Sequence, residues 1–291
     1  MKVTRILSPG DIVGESAVWS VARQSLLWVD IVGRRIHELD PATGEHRDWP
    51  TPDLVTSVGL RRDGGAIVGL RTLVALWDFG AAFTPLARPE PERPDNRLNE
   101  GRVGPDGAFW VGTMQDNIAE DGSPKPIVAA SGAFHRVWPD GRVESMTEAS
   151  FGICNTMAWD DQDRFLCADT LANRLIAFDW SPDGLANPRL FARHERGLPD
   201  GSTLDAAGGL WNARVGGGCV VRFSPDSAVS QVIDLPCAAP TSCALGGPDL
   251  RTLFVTSARF GLSEAQSRHP DQGAVFAIEV DTPGRPEHLF G

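Results

Sequence analysis

The chain has 291 residues, enough for one large domain or two small ones with a sizeable core. Apolar residues make up 42% and charged residues 22%, as in an ordinary globular protein. The formal net charge is −11 and no basic run interrupts it, which argues against a nucleic-acid partner.

In chain order, "KVTRIL" (2–7) is a first strand with no unit of its own, and the expectation is that it closes a ring by pairing with the last unit. "SLLWVDI", "GAIVGL", "AFWVGT", "RLIAFD" and "TLFVTSA" are short runs rich in β-branched and aromatic residues. Asp-Gly turns at Asp63-Gly64, Asp106-Gly107, Asp140-Gly141 and Asp183-Gly184 separate them. Long 3.6-period segments are lacking, so the fold class is all-β. Six stretches share one plan, a polar residue, small residues and an apolar anchor, then a turn and a second strand: "ESAVW" (15–19), "TSVGL" (56–60), "NEGRV" (99–103), "NTMAW" (155–159), "DGSTL" (200–204) and "TSCAL" (241–245). Their starts are 41, 43, 56, 45 and 41 residues apart. A period of about 40–50 residues with about four strands each is the signature of a β-propeller. The expectation is a six-bladed β-propeller occupying 1–291 as one domain, with blades beginning near 15, 56, 99, 155, 200 and 241. The longest unit carries an insert (114–132), read as a long top loop.

The innermost strand of each blade runs along the central channel. The residues four before the apolar anchors, Glu15, Thr56, Asn99, Asn155, Asp200 and Thr241, all bear oxygen and are expected to ring one mouth of it. Two carboxylates facing each other there repel, and a divalent cation relieves the repulsion. The donors suit Ca²⁺, Mg²⁺ or Mn²⁺, with Fe²⁺ or Zn²⁺ as alternatives, and the bland alternative is a wet channel of strand-start polar groups. The six histidines fall outside the register, so a His-rich zinc site is not expected. Ser16 and Ser242 lack a histidine in register and a G-x-S-x-G elbow, which argues against a serine nucleophile. Trp19, Trp28, Trp110, Trp159 and Trp211 read as interblade core, Asp30 and Asp169 as turn-bonding groups. The five cysteines lack a C-x-x-C pair and read as buried free thiols, with Cys154 in the core. No window approaches the roughly 18 apolar residues of a membrane span, and the N-terminus has too short an apolar stretch for a signal peptide. The expected setting is the cytoplasm, with no membrane partner.

"GESAVW…LLWVDI", "RLNEGRVGPDGAFWVGTM", "LPDGSTLDAAGGLWNA" and "PTSCALGGPDLRTLFVTSAR" together resemble the gluconolactonase/regucalcin family of sugar lactonases, the senescence marker protein family. The resemblance runs over 12–280 and implies a six-bladed propeller with one divalent metal in the channel. By the motifs G-E-G-P, N-G-L and P-D-G it implies Glu15, Asn155 and Asp200 as metal ligands. By R-P-N-D it implies Arg97 and Asn99 as substrate-orienting residues, with Asn117 at a lid-loop position that also meets substrate. The neighbours depart from the pattern: Ser16 and Ala17, Leu98 and Glu100, Thr156 and Met157. The implied reaction is hydrolysis of a sugar lactone in carbohydrate catabolism by a monomer or small homo-oligomer, with Asp200 as general base on a water beside or on the cation. The alternatives are another metal-dependent esterase or phosphotriesterase on the same scaffold, or a non-enzymatic Ca-binding propeller.

Overall fold

A computed structural model describes residues 1–291. Its six sheets have four strands each. The innermost strands are β2 (Gly14–Ser20), β6 (Val55–Leu60), β10 (Asn96–Val103), β14 (Cys154–Trp159), β18 (Leu198–Leu204) and β22 (Pro240–Gly246). Each touches the next around a closed circle. The first blade runs outward from β2 through β3 (Ser25–Asp30), β4 (Arg35–Leu39) and β5 (His46–Pro50), and the next four repeat that meander. The sixth runs from β22 through β23 (Thr252–Ser257) and β24 (Val275–Glu279) to β1 (Val3–Leu7), so β1 pairs with β24 and latches the ring, as expected from its orphan position.

The strand pattern follows from burial. Strand β3 (Ser25–Asp30) lies between two blades and is buried at every residue, so it reads as a continuous apolar run. The outermost strand β21 (Val229–Asp234) meets solvent, mixes polar with apolar residues and buries only Ile233. Apolar side chains gather into six clusters, one at each blade–blade interface. The four tryptophans Trp19, Trp28, Trp110 and Trp211 are buried in them, and Trp159 packs half-buried against one. All five cysteines are buried free thiols, Cys154 among them. Asp30 and Asp169 bond turn amides, at Gly33 and Ala172 among others.

Phe165 is fully buried between the third and fourth blades, with its ring centroid 5.1 Å from that of Trp110 and 5.2 Å from that of Trp159. Phe165→Ala is expected to cost about 3–5 kcal/mol, because the rigid interface cannot collapse onto the hole. Urea unfolding at constant m-value checks it.

Residues 283–291 cross the end of the channel opposite the ring. Gly284 bridges to Asp205, the Phe290 N–H donates to the Leu60 carbonyl and the Gly291 N–H to that of Gly107. Glu287 pairs from this segment with Arg102 of β10. The other end is open and holds the site.

Candidate active site

Every innermost strand loses its pairing register beside the ring position: at 15/18, 55/57, 98/101, 155/157, 199/202 and 240/243. Such bulges bend a strand and re-aim its side chains, here into the channel mouth. Glu15, Asn99, Asn155, Asp200 and Thr241 thereby line one cavity of about 170 Å³, together with Arg97. Asn117 and Ile118 reach it from the loop after β11 (Phe109–Gln115), within the expected insert. Ile31, Val215 and Phe260 form an apolar part of the wall. Thr56 corrects the expectation of a six-membered ring: its hydroxyl turns back onto the Gly69 carbonyl of its own sheet, and it does not line the cavity.

The ring residues also lash blade to blade. Asn99 Nδ2 donates to Asn155 Oδ1 at 3.0 Å, and the Thr241 hydroxyl donates to the Gly14 carbonyl. Asn155 Nδ2 donates to Thr170 Oγ1 at 2.9 Å, and that hydroxyl in turn donates to the Pro199 carbonyl at 2.8 Å. With its proton committed there, Thr170 can only accept from Asn155, which turns the Asn155 oxygen toward the cavity.

The departures from the family motifs gain a reason. Ser16 and Thr156 stand where G-E-G-P and N-G-L carry glycine, and their φ angles are 52° and 51°. A non-glycine residue in this region costs on the order of 1 kcal/mol. Each hydroxyl offsets that strain by stapling the next blade: Ser16 Oγ accepts from the Val58 N–H at 3.0 Å, and Thr156 Oγ1 donates to the Asp200 carbonyl. The glycine of "PDG" is retained for space, since a Cβ on Gly201 would lie 2.6 Å from Ser242 Oγ. Leu98 is core.

Arg97 is buried in the cavity wall. Its Nη1 donates to Asn99 Oδ1 at 2.9 Å and its Nη2 to Asn117 Oδ1 at 2.9 Å, which links three residues expected to face substrate. Burial pushes its pKa down to about 10, with Asp116 the main opposing charge, so it remains cationic at neutral pH.

The carboxylates are crowded. Burial, then the charges of Asp200 and Glu100, raises the Glu15 pKa well above the carboxylate range. Burial, then the charge of Glu100, raises Asp200 to about 8. Glu100 itself, raised by burial to about 7, is buried near enough for its charge to act on both, and the charge of Arg102 opposes its rise. Sequence reasoning took Glu100 only for an altered neighbour; nothing in its spacing marks it as a third acid at the site. Asp200 Oδ1 is buried and receives no hydrogen bond. A buried acceptor left bare is costly, and one in a cavity shared with a second carboxylate and an inward amide oxygen fits a divalent cation. Glu15, Asn155 and Asp200 could hold it. No histidine or cysteine lines the cavity, so the donor set is all oxygen. A wider groove of about 380 Å³ at Arg23, Glu38 and Arg47 lies on the surface, where Arg23 pairs with Glu38 and Arg47 with Glu45.

This is a six-bladed propeller with an acidic cavity at one mouth of its channel. The chain belongs to the SMP-30/gluconolactonase/LRE-like family, whose sequence model matches residues 13–259. It is 37% identical to the 6-deoxy-6-sulfogluconolactonase of Pseudomonas putida over 286 residues, 96% of this chain and 95% of that one. It is 35% identical to the L-arabinolactonase of Azospirillum brasilense, over 99% of this chain and 95% of the relative. A solved structure of regucalcin, described as a calcium-binding protein, from Agrobacterium tumefaciens superposes with a TM-score of 0.89 at 27% identity, covering 99% of this chain and 96% of that one.

Proposed function

We propose that this protein is a divalent-cation-dependent lactonase that opens a sugar (aldono) lactone to the sugar acid, with Glu15, Asn155 and Asp200 holding the cation. The observation that carries the reading is the bare Oδ1 of Asp200 in a cavity shared with Glu15, Asn155 and the Arg97–Asn99 pair. Two of the relatives are named as sugar lactonases and a third as a calcium-binding protein, which supports both halves of it.

A bound cation would supply Lewis-acid polarisation of the lactone carbonyl and charge stabilisation of the oxyanion. The protein's own residues supply the rest. Arg97 donates to a hydroxyl of the sugar ring through Nη2, and Asn99 accepts from one through Oδ1, because both of its N–H groups are taken by the Cys154 carbonyl and Asn155 Oδ1; Asn117 fixes the guanidinium from the far side. This orientation contributes rate as well as affinity. Asp200 accepts the proton of the attacking water through one carboxylate oxygen; its other oxygen would be the one available to hold a cation. The water oxygen bonds to the carbonyl carbon, the ring C–O bond breaks, and the ring oxygen takes the proton back from Asp200 to become a hydroxyl, which regenerates the base. The product carboxylic acid ionises and releases one proton to solvent per turnover, which makes acid release a direct assay. The apolar wall at Ile31, Val215 and Phe260 limits competing water.

Acid release from a panel of aldono-γ- and δ-lactones is expected to be rapid with Ca²⁺ or Mn²⁺ and to stop with chelator. Turnover indifferent to chelator overturns the cation; no turnover of any lactone, with hydrolysis of a phosphotriester instead, replaces the substrate class.

A further inference from the structure

Arg214, on strand β19 (Leu210–Val215), is fully buried, yet none of its five hydrogen bonds ends on a carboxylate. A buried guanidinium with only neutral partners is a costly arrangement, and arginine cannot escape the cost by losing its proton. Its partners show what the arrangement does. Nη2 donates to the carbonyls of His194 and Gly197 at 2.8 and 2.7 Å, and Nε to that of Arg196 at 3.0 Å. These three carbonyls belong to the loop that runs directly into β18 and Asp200. Nη1 donates to Asn212 Oδ1 at 3.0 Å, and Asn212 Nδ2 donates onward to the Asp200 carbonyl at 3.0 Å and to Ser202 Oγ at 2.9 Å. The fifth acceptor, Asn173 Oδ1 at 2.8 Å, ties the group to the neighbouring blade.

We propose that Arg214 is a positioning residue for Asp200: it fixes the loop that delivers Asp200 and, through Asn212, the peptide carbonyl beside which the carboxylate projects. The carboxylate lies on the bulge of β18 between 199 and 202, where no ladder partner holds the backbone, so other bonds must. Planar, forked and fully engaged, the guanidinium meets five acceptors at once, which a lysine ammonium cannot do. The inference rests on the role given to Asp200 above.

The test compares wild type with Arg214→Met, Arg214→Lys and Asn212→Leu. The first readout is amide exchange in the cation-free protein. Residues 194–203 are expected to lose protection in Arg214→Met while the first three blades keep theirs. The second is calorimetric titration with Mn²⁺, where affinity is expected to fall about 10- to 100-fold, the usual effect of losing a group that orients a ligand. The third is lactone hydrolysis, where kcat is expected to fall with KM nearly unchanged, and Arg214→Lys to recover part of the loss. Asn212→Leu keeps the guanidinium and its bonds to the 194–197 loop while cutting the link to the Asp200 carbonyl, together with the Asn212 bond to Ser202, so it reports the same direction if Arg214→Met does not fold. Mn²⁺ affinity and kcat within twofold of wild type, beside a lower Tm, would make Arg214 a structural buttress and overturn the proposal. If wild type neither binds Mn²⁺ nor releases acid, the lactonase reading fails, and unchanged exchange at 194–203 in the variants still decides against Arg214.

Discussion

Asp200→Asn is expected to lower kcat by roughly 10³-fold or more, the range for losing a general base, with a further loss as cation binding weakens. The substitution is isosteric and keeps one ligand oxygen, so shape does not explain the loss; the missing charge and proton acceptor do. The same change should raise the stability of the cation-free protein. Asp200 Oδ1 has no donor, and its neighbour is the Glu15 carboxylate. An amide there presents an N–H to Glu15 and, above about pH 8 where Asp200 ionises, removes one of the buried like charges. One variant should therefore be nearly inactive and more heat-resistant without cation, the signature of a site whose strain serves function. Acid-release kinetics and calorimetry on the same preparation check both halves. A kcat within tenfold of wild type would refute Asp200 as the base, and a Tm below that of the cation-free wild type would refute the crowding.

The ring could be read in the sequence because a propeller repeats one unit. The spacing of "GESAVW", "CNTMAW" and "PDGSTL" puts Glu15, Asn155 and Asp200 level around an axis without any knowledge of contacts. The lid position of Asn117 came from family resemblance, and the structure sets it against Arg97. What stayed hidden depends on bulges and on contacts between blades. Thr56 matches the register yet turns away, because a bulge decides side-chain direction and leaves no pattern in hydropathy. Glu100 looks like a changed neighbour in "RLNEGR", but it falls in the break at 98/101 and is buried with its charge acting on Glu15 and Asp200. Arg214 in "WNARVGGG" looks like a surface arginine at a strand end, until the loop from the preceding strand folds over it. Ser16 and Thr156 read as motif defects, and only their φ angles and interblade bonds show them as compensated replacements for glycine.

The crowding also fixes how stability must depend on pH. Glu15, Asp200 and Glu100 all hold their protons in the folded chain to higher pH than an unfolded chain does, chiefly through burial. Between an unfolded carboxyl pKa of about 4 and the folded values of about 7 for Glu100 and about 8 for Asp200, unfolding releases protons. The native state binds more protons than the unfolded state over that window, so stability falls as pH rises, by up to about 1.4 kcal/mol per pH unit for each group involved. Glu38 and Glu90 act oppositely: their folded pKa values are lowered, chiefly by Arg23 and His135 respectively against the opposing effect of burial, so their contribution is present above about pH 4.5 and lost on acidification. The cation-free protein should therefore be most stable near pH 5 and lose Tm steadily toward pH 8. A bound divalent cation favours the ionised carboxylates and should remove the decline, so the gap between Ca²⁺-loaded and chelated protein widens with pH. Mass action alone adds about 4 kcal/mol at a thousandfold excess over Kd. Glu100→Gln removes one charge that acts on the pair and should flatten the cation-free curve without removing a ligand. Thermal scans from pH 5 to pH 8.5, with chelator and with Ca²⁺, decide the matter: parallel curves would mean that the three acids do not share a buried field. A widening gap that Glu100→Gln narrows means that repulsion among them is what a cation relieves.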